Sequence, residues 1–203
     1  MKKILALALA VLMVVSLAAC GSNAKTTEPS TTAPTVTGPA SALELLQTVW
    51  TAYPEEAKFP TMGGDVTAPT TDGNPGAVNL DVAEENPLYI LNFPGDQLAN
   101  ISEAATVFHA MNTNTFAAGV VKVAEGADVK TVAQAIRDAV MSTHWMCGFP
   151  ERMIVASVGD YIVMSFGLDG VSDPESVKIM STFLQSLKTS YANTEVLFDE
   201  EIL

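Results

Sequence analysis

Two stretches in the second half of the chain are apolar at consecutive positions, so a strand built from either has no polar face. Residues 115–124 and 153–166 share this pattern, and both are rich in β-branched side chains. A sheet made of such strands must be covered on both faces. An N-terminal helix, an irregular segment or a second subunit could supply that cover. In the first stretch one face would hold Phe116, Ala118 and Val120, and the other Ala117, Gly119 and Val121.

Four strands are predicted around these stretches, in two hairpins. Asn112, Thr113 and Asn114 would form the first turn, and Gly159-Asp160 the second, with a glycine suited to a type II′ geometry. The predicted strands are 103–111, 115–124, 153–158 and 161–166.

Each hairpin is followed by a helical pattern. Asp128 is a capping residue for the first helix, and residues 172–175 combine a cap, an early proline and an early acid for the second. Ser41 opens a further helix near the N-terminus, which Pro54 limits. The sequence therefore predicts an α+β fold: an antiparallel sheet of about four strands in a ββα-ββα order, with helices packed on one face, plus an N-terminal helix.

The N-terminus has the three parts of a secretory signal peptide. Lys2 and Lys3 precede an apolar run, and the small residues Ala18 and Ala19 stand before Cys20. The apolar run is shorter than the roughly 20 residues that span a bilayer. Residues 17–20 match the lipobox of bacterial lipoproteins, in which the cysteine thiol takes a diacylglyceryl group. We therefore expect residues 1–19 to be cleaved, leaving Cys20 lipidated on the extracytoplasmic face of the cell membrane.

Composition divides the remainder of the chain. Residues 20–40 hold the lipid-bearing cysteine and a Ser/Thr/Pro-rich segment that is predicted to be a disordered tether. Residues 41–203 are predicted to form a single extracytoplasmic domain. Within it, residues 55–87 are irregular and rich in proline and glycine, a pattern typical of a functional or a mobile loop.

The chain is strongly acidic, with a formal net charge of −13, and loss of Lys2 and Lys3 makes the remainder more acidic still. Such a surface repels phosphate backbones, which excludes nucleic acid as a partner. The acidity either keeps the domain soluble or suits a basic ligand.

The residue types that carry chemistry are few. His144 and Cys147 form an H-x-x-C pair, but a zinc site needs three or four ligands, and His109 is predicted to lie in a strand. Cys147 is either buried or a thiol open to intermolecular pairing, and burial is favoured because Trp145, Met146 and Phe149 surround it in the sequence. Ser142 near His144 lacks a nucleophile turn, so a serine or cysteine hydrolase is disfavoured.

Acidic and aromatic residues give two weaker candidates. The acidic run in the irregular segment could supply oxygen ligands to calcium, although it lacks the regular spacing of an EF-hand, and solvated acids are the favoured interpretation. Five aromatic residues could line a groove, but core packing is favoured. The acids are Asp65, Asp72, Asp81, Glu84 and Glu85, and the aromatics are Trp50, Tyr53, Phe59, Tyr89 and Phe93.

Two sequence passages resemble a known family. The passage VVKVAEGADVKTVAQAI (120–136) and the hairpin VASVGDYIVMSFG (155–167) resemble bacterial lipoproteins that share a domain of unknown function, numbered 4358. The resemblance spans roughly residues 88–192, together with the lipobox. It implies a lipoprotein but no activity, and no functional residue is carried over from it.

The sequence thus predicts no catalytic residue, no cofactor and no metal, and identifies one modified residue, Cys20. The favoured function is a non-enzymatic binding module for a protein, peptide or envelope component. An envelope-acting hydrolase and a self-associating structural lipoprotein are the alternatives, and homo-oligomerisation is left open.

Overall fold

A computed structural model describes residues 38–81, 86–171 and 177–202 of the chain. Short 3-10 helices lie at Glu55–Ala57, Tyr89–Leu91 and Gly95–Asn100. The α-helices are α1 (Ala42–Ala52), α2 (Val129–Met141) and α3 (Ile179–Ser190), and the strands are β1 (Thr61–Gly63), β2 (Gly76–Ala77), β3 (Ile101–His109), β4 (Phe116–Val123), β5 (Arg152–Val158), β6 (Tyr161–Gly167) and β7 (Glu195–Glu201).

All seven strands join one antiparallel sheet. Six of them follow the order β1-β3-β4-β6-β5-β7, and β2 pairs with the same edge of β3 as β1 does, at the neighbouring residues of β3. The prediction of about four strands was therefore wrong, because β1, β2 and β7 also join the sheet, outside the predicted ββα-ββα order. The strands β1 and β2 are too short to show a two-residue period. The strand β7 carries four acids in seven residues, a composition untypical of strands.

The helices lie on both faces of the sheet, which corrects the prediction of one face. One hydrophobic core joins α1 and α3 to one side of the sheet, and a second joins α2 and the segment around Leu91 to the other. The central strands β4 and β6 are buried along nearly their whole length, so each face required a cover.

The helix starts follow the predicted caps in two cases of three. Ser41 Oγ accepts a hydrogen bond from Glu44 N (3.1 Å), and Asp128 Oδ1 accepts one from Thr131 N (2.8 Å). The predicted start of the last helix, residues 172–175, lies outside the described residues, and α3 begins later, at Ile179.

The irregular segment is held at the edge of the sheet. Within it, the end of β1 and the start of β2 meet where Gly63 and Gly76 approach backbone to backbone, leaving no room for a Cβ atom at either position. Trp50 Nε1 and Thr61 Oγ1 both donate to the carbonyl of Gly73, at 2.9 and 2.8 Å. The long excursion between β1 and β2 is thus tied to α1 and β1.

A close approach in the second core depends on a single glycine. Gly119 lies in the middle of β4, and the side chain of the fully buried Leu91 rests on it, in the space that a Cβ atom would occupy. This contact fixes the segment before β3 against the sheet.

Gly119→Ala is expected to destabilise the domain by about 2 kcal/mol, because the added methyl group overpacks against Leu91. In a Leu91→Ala background the same substitution should cost much less, since the tightest remaining contact of the added Cβ is the Ala105 carbonyl oxygen at 3.3 Å. Urea unfolding of the four proteins in the cycle measures this coupling. If Gly119→Ala lowered the free energy of unfolding equally in both backgrounds, the contact between Leu91 and Gly119 would not constrain the core.

Candidate functional site

Three chain connections leave the sheet at the same end. Phe116 at the start of β4 pairs with Gly167 at the end of β6, which pairs with Arg152 at the start of β5. The β3–β4 turn, the α2–β5 loop and the β6–α3 connection are therefore neighbours. We call this end the loop pole and define it as residues 110–115, 142–150, 168–171 and 177–178.

The loop pole exposes large apolar side chains. Of the six exposed large hydrophobic residues among those described, only Tyr89 lies elsewhere. Met111, Met146 and Phe149 are 85%, 78% and 72% exposed, and Val171 and Val177 add to them. Scattered apolar residues are ordinary on a protein surface, so their concentration at one end makes the loop pole the candidate site.

The two longer loops of the pole, 110–115 and 142–150, lack charged side chains of the acid, lysine and arginine type. Neither 110–115 nor 142–150 contains an aspartate, glutamate, lysine or arginine, in a chain whose net charge is −13. His144 is the only histidine in these two loops, and it is exposed. These two loops thus form an apolar area without acids, lysine or arginine on an acidic protein, whereas Asp169 and Lys178 lie in the other two segments of the pole.

Two asparagine side chains hold the principal loops together. Asn112 Nδ2 donates to the carbonyl of Cys147 (2.9 Å), and Asn114 Nδ2 donates to the carbonyls of Met146 (2.9 Å) and Gly148 (3.0 Å). Cys147 has a φ of 60°, an uncommon value for a non-glycine residue. The backbone that carries Met146 and Phe149 is therefore positioned by side-chain hydrogen bonds.

Buried and half-buried rings support the loop pole from below. The Trp145 ring packs on Phe166 with ring centroids 5.0 Å apart. His109 stacks on Phe59 at 5.4 Å, and its Nδ1 atom accepts hydrogen bonds from the backbone N–H groups of Met111 (3.1 Å) and Asn112 (3.2 Å). Burial lowers the pKa of His109, which favours the neutral ring that such acceptance requires.

An ion-pair network lies at the base of the pole. Arg152 binds both carboxylate oxygens of Asp199, with Nε–Oδ1 at 2.7 Å and Nη2–Oδ2 at 2.8 Å. Its Nη1 atom also contacts Asp169, which is buried, and donates to Ser181 Oγ (2.7 Å). Hydrogen bonding to Arg152 lowers the pKa of Asp199.

Asp169 also completes the start of α3. Its Oδ1 atom accepts a hydrogen bond from Ser181 N (2.7 Å), a role that the residue before the helix, Lys178, does not fill. Glu151 Oε2 accepts from the backbone N–H groups of Asp169 (2.7 Å) and Val171 (3.1 Å). The network therefore joins β5, β7, α3 and the 168–171 loop.

The predicted burial of Cys147 was wrong, because the thiol-bearing residue is exposed. The asparagine clamps and the positive φ turn the loop outward, and only Trp145 of its neighbours packs inward. Ser142 and His144 are also exposed, and no hydrogen bond joins either to Cys147 among the described residues. The structure thus brings no nucleophile–base pair together here.

Two acidic candidates of the irregular segment accept backbone hydrogen bonds from other residues of that segment. Asp65 Oδ1 accepts from Asn79 N (3.0 Å), and Asp72 Oδ1 from Asn74 N (3.1 Å). Hydrogen bonds from Asn74 lower the pKa of Asp72. Asp81 is exposed, and Glu84 and Glu85 lie outside the described residues. Within the described ranges no three His, Cys, Asp or Glu side chains converge to hold a metal ion.

The aromatic candidates are core residues with one exception. Trp50, Tyr53 and Phe93 are buried and Phe59 is half-buried, which confirms the packing interpretation for these four. Tyr89 is exposed. Burial raises the pKa of Tyr53 to about 12, consistent with a phenol in the first core.

Comparison with protein-family models, curated proteins and solved structures found no match. The resemblance to the lipoprotein family stays a prediction. Over the described part of the chain, no helix combines the length and the apolarity needed to cross a membrane.

Arg152→Ala is expected to lower the free energy of unfolding by about 3 kcal/mol at neutral pH, because it leaves Asp169 buried without its cation. Asp199, whose pKa is depressed in the folded state, stabilises the wild type above its unfolded pKa and loses that effect as the pH falls. The difference between wild type and variant should therefore shrink between pH 7 and pH 3, in urea unfolding at each pH.

Arg137→Ala is the matched control, since Arg137 makes a similar two-pronged contact with Glu200 at a more exposed position. It should cost much less. Equal losses for the two variants would contradict a structural role for the network.

Proposed function

We propose that this protein is an extracytoplasmic lipoprotein, anchored to the cell membrane by lipid on Cys20, whose domain is a non-enzymatic binding module. The anchor rests on the lipobox, the preceding apolar run and the two lysines of the N-terminus. Residues 20–40 would serve as the tether between lipid and domain.

The observation that carries the binding role is the loop pole. Three exposed side chains, Met111, Met146 and Phe149, stand on loops whose backbones are clamped by Asn112 and Asn114. Methionine adapts its shape to a partner, and an aromatic ring provides a large contact area. A backbone held in place before binding loses less entropy when the complex forms.

The position of the domain's N-terminus fits this role. Ala42 N, at the start of α1, donates to Glu103 Oε2 (2.9 Å) near the beginning of β3, whereas His109 ends β3 at the loop pole. The stretch of β3 between these residues spans about 20 Å. The start of α1 and the loop pole therefore lie towards opposite ends of β3.

The partner that fits is a protein with an apolar cleft. A charged ligand would find no counter-charge in loops 110–115 and 142–150. An anionic bilayer would be repelled by the acidic remainder of the chain. An apolar cleft with basic residues around it would match both the pole and its surroundings.

Cys20→Ala should abolish lipidation and leave a precursor about 2 kDa heavier than the mature peptide, because the signal peptidase acts after the thiol is modified. Cys147→Ala is the control and should be processed like the wild type. Mass spectrometry of the membrane fraction measures both. Normal processing of the Cys20 variant would contradict the anchor.

A photo-crosslinking residue at Met146 should capture a partner protein in intact cells, because this side chain is in the proposed contact. The same residue at Tyr89, exposed but away from the loop pole, is the control and should not. The Met146 adduct should disappear when Met111 and Phe149 are both changed to serine, with the melting temperature unchanged.

The outcome at Met146 separates the functions. A heterologous adduct that depends on Met111 and Phe149 supports the binding module. Adducts containing only a second copy of the chain would favour a self-associating lipoprotein instead. Identical adducts from Met146 and Tyr89, or none from Met146, would contradict the role of the loop pole.

A further inference from the structure

The strand β7 forms one edge of the sheet and is open on its outer side. It pairs with β5 from Arg152↔Glu201 to Ser157↔Glu195, with a bulge between Val155 and Ala156. No strand among the described residues pairs with its other edge. An open edge offers unpaired backbone N–H and C=O groups to an extended segment of another chain.

A groove runs beside this open edge. It has a volume of about 370 Å³ and lies between the N-terminal half of α2 and the first half of β7. Leu197 and Phe198 are half-buried, so part of their apolar surface faces the groove. Towards the end of β7, the guanidinium of Arg137 in α2 donates hydrogen bonds to the carboxylate of Glu200 and so joins the helix to the strand. The groove lining consists of Lys130, Gln134, Glu195, Val196, Leu197 and Phe198.

The charge of β7 restricts what can pair with it. Its four acids are Glu195, Asp199, Glu200 and Glu201. Arg152 and Arg137 pair with the two central ones, whereas Glu195 and Glu201 are exposed and have no ion pair among the described residues. A second copy of β7 would place like charges opposite one another, which is unfavourable. A strand with lysine or arginine would gain from the same carboxylates.

We propose that the open edge of β7 binds an extended basic segment of a partner protein by strand addition, with alternate apolar side chains of that segment in the groove beside Leu197. The backbone pairing supplies affinity, and the carboxylates of Glu195 and Glu201 supply selectivity for basic residues. This surface is separate from the loop pole, so the two can be tested independently.

The alternative is that acids on β7 only protect the edge from aggregation. A protective edge needs no groove and shows no preference for a basic strand. Selective binding at β7 is therefore what distinguishes strand addition from protection.

The test uses the full lipidated chain in an uncharged detergent and a fluorescent eight-residue peptide of alternating lysine and valine. Fluorescence anisotropy measures affinity, and hydrogen exchange with mass spectrometry locates the site. We expect saturable binding and slower exchange confined to residues 195–201. Peptides with glutamate in place of lysine, or with two central valines changed to proline, should not bind.

Glu195→Gln combined with Glu201→Gln should weaken binding about tenfold, as two lost cross-strand charge pairs predict. Glu56→Gln combined with Glu125→Gln removes the same charge from exposed positions on other elements and should leave affinity unchanged. Equal weakening by both pairs would reveal non-specific attraction and overturn the proposal. So would an absence of saturable binding, or protection outside β7.

Discussion

The burial of the central strands on both faces is the constraint on which the rest of the structure depends. Every residue of β6 is buried, and two adjacent residues of this strand, Ile162 and Val163, belong to different cores. A sheet of this kind cannot stand with helices on one side only, because its second face would expose a continuous apolar surface. The three-layer arrangement, with α1 and α3 on one face and α2 on the other, follows from that requirement.

Ion pairs hold the edge strand β7 in place, whereas apolar contacts hold the central strands. Arg152 and Arg137 approach β7 from elements on opposite sides and bind the adjacent residues Asp199 and Glu200. Neighbouring side chains of a strand point to opposite faces, so the two arginines hold the strand from both. The buried Asp169 links the first of these arginines to the start of α3. These ion pairs allow Asp199 and Glu200 to take part in a regular strand.

The elements with strong local signals could be predicted from the sequence. The hairpin at Gly159 fits the expected turn: this residue has a φ of 61°, while Asp160 keeps an ordinary negative value. The caps Ser41 and Asp128 were placed correctly, because a capping side chain bonds to residues only a few positions away. Such features need no knowledge of the remainder of the chain.

The features that depend on distant partners could not be predicted. The sequence of β7 is typical of an acidic tail, because the arginines that pair with its carboxylates are distant in the sequence. Cys147 reads as a core residue, because the asparagines that turn its loop outward lie more than 30 positions earlier. The apolar character of Met146 and Phe149 was visible, but apolar residues predict burial unless the fold is known. The sequence pattern therefore did not distinguish the residues of the candidate site from core residues.

The loop pole and β7 show how one scaffold can present two kinds of surface. Apolar contacts tolerate many partner shapes, so a surface of methionine and phenylalanine needs a fixed backbone to gain selectivity, and Asn112 and Asn114 supply it. A strand edge already has a fixed backbone and obtains selectivity from charge. Arg152 stands between the two, at the base of the loops and against β7. Because its contacts join these elements, Arg152 holds β7 and the 168–171 loop in fixed positions relative to one another, with Asp169 as the connecting residue.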